Sequence, residues 1–526
     1  MSTAEHHVDA DTQQLHKLGY AQELFRSMGG FQNFAISFTI ISILAGCLTS
    51  YSIGFNQGGP LVITWGWLIV GFFCTLVALA MGEIASTYPT AGGLYFWSSR
   101  LGGPAWGWFT GWFNLVGQIA VTASIGFGCA IFMTSLLNLW FDYPNSYGWI
   151  YFLYGMIMLG AGLINMFKVP ITAALNAFSA WWHMIGVVVA VFVLAIVPDH
   201  HRSVGYVFGQ TINNTGFNGG ATSGIVYFYV FLTGLLLAQY TITGYDASAH
   251  MSEETRSASI GAAWGMVMSV VVSVFFGFIL LVAVTFAVPN DKDAAAAGTY
   301  IITYIWQTSM STSWAEFLLL IAVVAQCFCT IASTTSASRM MFAFSRDGAV
   351  PGNRLWKKVS KVDRIPIFTV WAICVLAFLT PLPALWYGYT GYAASTAVAV
   401  IGLYIAFVLP IILRLRAREK FERGAWHLGR HYVWIDLIAI VWIIFICVVF
   451  MLPTAYLGTP WKSGFDWLYF NYTPIMVGGA FLLFGGWYVI SARKWFKGPI
   501  RQGTDEELQQ IEAGYQGPAA APASAS

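Results

Sequence analysis

Charged side chains are scarce in this sequence: Asp, Glu, Lys and Arg make up 9% of its 526 residues, against 57% hydrophobic and 17% aromatic. A soluble globular domain carries about a quarter charged residues, so that class is excluded. The net charge is only +2, and no basic stripe offers a footing for nucleic acid. Cysteine is sparse as well. All seven (Cys47, Cys74, Cys129, Cys327, Cys329, Cys374, Cys447) lie inside apolar runs. Cys327 and Cys329, two residues apart, face different sides of a helix, so neither a disulfide framework nor a metal site is expected. The phosphate loop G-x-x-x-x-G-K-S/T is absent, which removes ATP hydrolysis by that route, and G-x-S-x-G and H-E-x-x-H are missing too. No cofactor is expected. Near the N-terminus no basic segment leads into a short apolar stretch and a cleavage site, so the first apolar run is read as a permanent span rather than a signal peptide.

Long apolar runs dominate what is present. They lie near residues 32–55, 62–82, 106–136, 148–166, 174–197, 225–251, 262–288, 314–340, 367–386, 393–413, 432–453 and 474–491. Each is long enough to cross a hydrocarbon core of about 30 Å, so the expected fold is an all-α polytopic membrane protein of twelve transmembrane helices in contact with lipid. Assigning alternate loops to opposite sides leaves only Arg202, Lys292 and Lys462 of the 25 basic residues on one of them. By the positive-inside rule the crowded side is cytoplasmic and holds both termini, which predicts a multi-pass protein of the cell membrane. Residues 1–30 read as a cytoplasmic segment. Residues 503–526, acidic and then rich in Ala, Pro and Ser, read as a disordered tail.

Glycine and buried charge mark where this pattern is interrupted. The first run carries Ser42-Ile-Leu-Ala-Gly46-Cys-Leu-Thr-Ser50 in mid-membrane, followed by Gly54, Gly58, Gly59 and Pro60. The sixth carries Thr243-Gly244, then Asp246 and His250. A carboxylate at a helix centre costs about 2.5–3.5 kcal/mol even on insertion scales, so Asp246 is a candidate functional group unless it sits wet at the surface end of a kinked helix. Runs one and six are five apart. Weak helices at corresponding positions of two inverted repeats point to a midplane binding site in a secondary transporter. Glycines also serve close packing, the reading given to Gly107 and Gly111.

Three motifs carry a family resemblance. They are the stretch Gly244 to Thr255 (Gly-Tyr-Asp-Ala-Ser-Ala-His-Met-Ser-Glu-Glu-Thr), the stretch Met81 to Trp97 after the second run, and the stretch Ser336 to Pro351 after the eighth. In this order and spacing the chain resembles the amino acid/choline transporter branch of the amino acid, polyamine and organocation (APC) superfamily, which includes GABA permeases. The resemblance implies two inverted five-helix repeats, over 31–200 and 224–415, with two further helices over 430–492. It also implies a small-molecule substrate, an amino acid or an amine such as GABA. The alternatives are a facilitative exchanger and a choline or polyamine carrier. In relatives the unwound part of helix one matches Ile43 to Leu48, including Ala45, Gly46 and Cys47. Backbone amides at the following half-helix there receive the substrate carboxylate, an anion site that needs no basic side chain. Helix six matches Thr241 to Gly244, including Thr243, whose freed carbonyls receive the amine. Tyr240 sits where several relatives place an aromatic gate; its other reading is a packing or lipid-facing ring.

Coupling to an ion gradient is the remaining expectation, a proton with sodium possible. His183 lies near the position where some relatives carry a Lys that stands in for a sodium ion, and an imidazole titrates near neutral pH. A neutral histidine bonded to a helix carbonyl is the alternative. Ser333, with Thr334 and Thr335, offers hydroxyls to the pocket unless they bond their own helix. Glu83, at the end of the second run, reads as packing and gating on the cytoplasmic side. An intramembrane aspartyl protease built from Asp246 and Asp436 is the enzymatic rival, and Asp436 lacks the glycine-rich element such a site needs. A channel is the other rival, without a visible repeated filter.

Overall fold

Inside a bilayer every backbone N–H and C=O must find its partner within its own segment, and apolar runs of this length meet that demand as helices. The computed structural model describes residues 9–515 other than 168. Among them twelve helices are long and apolar enough to cross a membrane. These first to twelfth spans are Gly30–Thr49, Val62–Thr87, Pro104–Phe141, Tyr147–Ile164, Val169–Ile196, Gly224–Thr241, Ala258–Phe286, Thr312–Arg346, Ile367–Tyr387, Thr396–Lys420, Gly429–Met451 and Thr473–Trp495. At 1.5 Å per residue the third span is about 57 Å long, nearly twice the hydrocarbon thickness, so it must cross at a tilt or project beyond the bilayer.

The exterior is apolar, unlike that of a soluble protein, around a core that is itself mostly apolar. Phe192, Phe275 and Leu482 point outward, whereas Thr39, Asn114, Gln118 and Gln326 are buried among the helices. Small residues set the closest approaches: a side-chain carbon at Gly111 of the third span would lie 2.4 Å from the Phe344 ring of the eighth. The second span packs on the seventh, the third on the eighth and the fourth on the ninth. Partners five apart in the chain are what a two-fold relation between inverted repeats brings together.

Alternate loops gather at opposite ends of the bundle. At one end Gln57–Gly58 pairs antiparallel with Ile212–Asn213, Arg202 bridges Asp291 at 2.8 Å, and the Tyr456 amide donates to the Thr215 carbonyl at 2.8 Å. At the other end Arg26 donates to the Thr255 carbonyl at 2.9 Å, Arg364 to that of Glu23 at 2.8 Å, and His16 meets Glu512 at 2.7 Å. The N-terminal and C-terminal segments therefore lie on the same face.

The tail departs from expectation. Asp505–Ala513 is a helix, capped by Thr504, whose side chain accepts from the Glu507 amide while the Glu507 carboxylate accepts from the Thr504 amide. That capping box satisfies two free amides at once. Leu508 is buried, and Glu512 also accepts from the Gln22 amide at 2.7 Å, so the helix docks on the N-terminal segment. Residues 516–526, part of the tail read as disordered, lie outside the described residues.

Candidate substrate and ion site

The first span is broken at Ser42, not within Ile43 to Leu48. Helix Gly30–Ile41 ends there, Ser42 takes φ 36° and ψ 79°, and a second helix runs Ile43–Thr49. A non-glycine residue at positive φ is costly unless its surroundings hold it. Ser42 is held on three sides: its amide donates to the Phe38 carbonyl at 3.0 Å, its carbonyl accepts from the amides of Ala45 at 2.8 Å and Gly46 at 2.7 Å, and its hydroxyl lies 2.7 Å from His183 Nε2. The expectation that Ile43, Ala45, Gly46 and Cys47 are unwound is thus corrected. These residues form the first turns of the second half-helix, and the amides of Ala45 and Gly46 are already used. Gly46 has a different task. A side-chain carbon there would stand 2.6–2.8 Å from Thr241, so glycine is what lets the first and sixth spans touch.

The sixth span breaks where expected. Helix Leu236–Thr241 stops, Gly244 takes φ +95°, and a short helix Ala247–His250 follows. Only glycine adopts that φ without strain, and a side chain at Gly244 would also strike Ile40 at 2.4 Å. Two of the freed carbonyls are engaged: that of Ile242 accepts from Tyr404 at 3.1 Å, and that of Gly244 from the Ala247 amide at 3.2 Å.

Between the two breaks lies a small cavity lined by Ile40, Ala45, Gly46, Tyr240, Thr241 and Thr243 of these spans, by Val121 and Ile125 of the third span and by Cys329 of the eighth. Its volume of about 10 Å³ admits about one water, far below the hundreds of Å³ of an ordinary ligand pocket. Tyr240 is buried, and its hydroxyl donates to Ser124 of the third span at 2.9 Å, closing the cavity with an aromatic ring rather than facing lipid. Ile43, Cys47 and Gly244 are not among the residues that line the cavity. Ser333 does not reach it, because its hydroxyl donates to the Thr330 carbonyl of its own helix at 3.0 Å.

Both titratable candidates are fully buried. The Asp246 carboxylate accepts from the side-chain amides of Gln118 at 2.8 Å and Asn114 at 3.1 Å, and His250 Nε2 stands 3.3 Å away. It is therefore not a wet interfacial acid. His183 places Nδ1 2.8 Å from the Ser179 carbonyl. A carbonyl can only accept, so Nδ1 carries a proton and a neutral ring receives the Ser42 hydroxyl at Nε2. The helix-carbonyl partner of a neutral histidine is present, and the same ring anchors the break. Asp436 is buried on the eleventh span, where Glu83 and Arg414 are its charged neighbours. It keeps different company from Asp246, so the structure does not assemble the dyad of the protease reading.

Ion pairs that sequence reasoning missed close the face that carries the termini. Glu83 pairs with Arg414 of the tenth span at 2.9 Å and accepts from the Leu428 amide at 3.2 Å, while Arg414 lies over the Tyr432 ring at 3.9 Å. Arg339 and Arg346 of the eighth span pair with Glu254 and Glu253, each at 2.8 Å. Asp347 accepts from Tyr20 at 2.7 Å and Tyr95 at 2.8 Å. Burial pushes its carboxyl above the ordinary carboxylate range, against the pull of Arg346 and these hydrogen bonds. Among the described residues no group of three or more His, Cys, Asp or Glu could hold a metal ion.

Twelve spans with two breaks set side by side define an all-α polytopic membrane protein of APC type. The chain belongs to the amino acid permease family, whose model matches residues 28–481. It is 39% identical over 515 residues to the amino-acid permease BAT1 homolog of Oryza sativa subsp. japonica, covering 94% of this chain and 96% of the relative. To amino-acid permease BAT1 of Arabidopsis thaliana it is 37% identical over 513 residues, covering 94% and 97%. To the GABA-specific permease of Saccharomyces cerevisiae it is 26% identical over 520 residues, covering 95% and 87%.

Proposed function

We propose that this chain is a secondary active transporter that moves an amino acid, or a related amine such as GABA, across the cell membrane by alternating access, with a proton as the coupled ion. The observation that carries this reading is the pair of breaks at Ser42 and Gly244, which face one cavity too small for any amino acid as it stands. A binding site that must widen to admit its ligand fits a carrier in a closed state better than an open pore. The positive end of helix Ile43–Thr49 receives the carboxylate, through amides ahead of Ala45. With the Ile242 and Gly244 carbonyls engaged, the amine falls to the carbonyls of Thr241 and Thr243, both on the cavity wall, and Tyr240 covers the bound molecule.

The face closed by Glu83–Arg414 is cytoplasmic in this reading, since it gathers most of the basic residues. Asp246 supplies the titratable group and joins the sixth span to the third, while His183 holds the first span's break. Thermal-shift measurements on the purified protein against the twenty protein amino acids, GABA, choline and polyamines test the ligand class, because a ligand at a hundredfold excess over its Kd stabilises by about 2.7 kcal/mol. A shift with amino acids or GABA supports the reading; a response confined to choline or polyamines overturns the substrate class.

A further inference from the structure

The ring of His250 poses a proton-counting problem that its surroundings solve in only one way. Its Nδ1 lies 2.9 Å from the carbonyl of Ala91. A carbonyl accepts and never donates, so Nδ1 bears a hydrogen. A neutral ring then presents a bare lone pair at Nε2, and Nε2 faces Asp246 Oδ2 at 3.3 Å with both side chains wholly buried. A lone pair set against a carboxylate at this distance is repulsive, and no donor among the described protein groups reaches Nε2 to satisfy it. Adding one proton removes the conflict. Placed on Nε2 it makes an imidazolium beside a carboxylate; placed on Oδ2 it makes a carboxylic acid that donates to the ring.

Among the described residues, the elements packed around the pair bring it no free charge. Ala247–His250 packs on the first, seventh and eighth spans and on helix Gly93–Gly102. The residues of the first-span segment Gly30–Ile41 and of the seventh span include none that is ionisable. The eighth span offers Arg339 and Arg346, each engaged by its own carboxylate at 2.8 Å, Glu254 and Glu253 of the adjoining turn. Helix Gly93–Gly102 carries Tyr95, which donates to Asp347, and Arg100, which is exposed. Tyr245, next to Asp246, is uncharged. The third span meets Asp246 with the neutral amides of Asn114 and Gln118.

We infer that Asp246 and His250 hold one proton between them and that this proton is the ion that crosses with the substrate. The second half of the inference rests on the proton-coupled reading above; the first half does not. In each cycle the anionic Asp246 and neutral His250 take up one proton on one side of the membrane and release it on the other, and no bond other than that proton's is made or broken. Asn114, Gln118, Val121 and Ile125 fall at helical spacing along one face of the third span, so the amides that hold Asp246 and the residues that line the cavity belong to one rigid stripe. Loss of the proton sets Nε2 against the very carboxylate that Asn114 and Gln118 hold, which links the proton to the stripe that lines the cavity.

Two readouts test this with the full-length protein in lipid. In the first, nitrogen-15 spectra of the histidine rings near pH 7, with His250 assigned by its loss in His250→Gln, are recorded with infrared spectra of the carboxyl groups. A doubly protonated His250, or a carboxylic acid band that Asp246→Asn removes, is expected; a neutral His250 beside an ionised Asp246 overturns the inference whatever the transport result. In the second, proteoliposomes at clamped membrane potential receive a labelled amino-acid mixture and GABA under a gradient of about one pH unit, which supports about tenfold accumulation if one proton accompanies each molecule. Asp246→Asn, His250→Gln and the double variant are each expected to lose this accumulation, the double no more than either single. Accumulation retained by His250→Gln overturns the role of the pair while leaving proton coupling intact, whereas wild-type uptake that ignores the pH gradient but follows sodium overturns the coupling itself.

Discussion

Gly46 and His183 show how differently two residues beside the first span's break can act. Gly46 looks like a hinge in the sequence, yet the chain turns at Ser42, and what Gly46 provides is room for Thr241. A valine there has nowhere to place its branched carbons without separating the first and sixth spans. Gly46→Val is expected to reach the membrane and lose essentially all amino-acid uptake, as measured in proteoliposomes with expression checked in parallel. His183 spends both ring nitrogens on Ser179 and Ser42. His183→Ala removes the anchor of the break, and is expected to weaken amino-acid binding in the thermal-shift assay as well as uptake; a change in the pH profile of uptake with unaltered binding would instead make His183 a titrating group.

What the sequence revealed at this scale followed from local chemistry. The break at Gly244 was readable because positive φ favours glycine. The one at Ser42 was not, because a serine at positive φ is stabilised by His183, which lies 141 residues away in the chain. Asp246 and His250 were both in view as residues of one interrupted stretch, and their facing side chains were not. The Ala91 carbonyl and the Gln118 amide that fix their proton were not.

Among the elements, the spans themselves were the most readable part, since a run of apolar residues this long has few other structures open to it. Their interlocking was not, because buried ion pairs join distant segments: Glu83 and Arg414 are 331 residues apart. Removing one partner of a buried pair strands a charge and typically costs about 3–5 kcal/mol. Glu83→Ala is therefore expected to lower the Tm clearly and to increase labelling, by a membrane-impermeant thiol reagent applied from the face bearing the termini, of a cysteine introduced at Val121 on the cavity wall. Unchanged Tm and labelling would show that the pair neither stabilises nor closes that face.

The tail is the opposite case, a structure that was present in the sequence and overlooked. Thr504-Asp-Glu-Glu507 is a T-x-x-E capping signal directly before the helix, but the acidic and Ala/Pro-rich composition around it argued for disorder. Its partner surface is the N-terminal segment, through His16 and the Gln22 amide. Deleting residues 504–526 is expected to leave uptake in place while speeding tryptic cleavage at Lys17 and Arg26. Equal cleavage rates would mean that the docked helix protects nothing.

For the whole molecule, the twelve spans, the paired breaks and the permease relatives bear on a single claim: the breaks enclose a site that opens to one side at a time. Counterflow measures that property directly, because an excess of unlabelled substrate on the far side accelerates entry only when one site is presented alternately to both sides. Proteoliposomes preloaded with an unlabelled amino-acid mixture and GABA, then given the same compounds in labelled form, are expected to take up label transiently above its equilibrium level, and Gly46→Val proteoliposomes are expected to show no such overshoot. Wild-type protein that equilibrates the label without overshoot, or an overshoot undiminished in Gly46→Val, would contradict the claim.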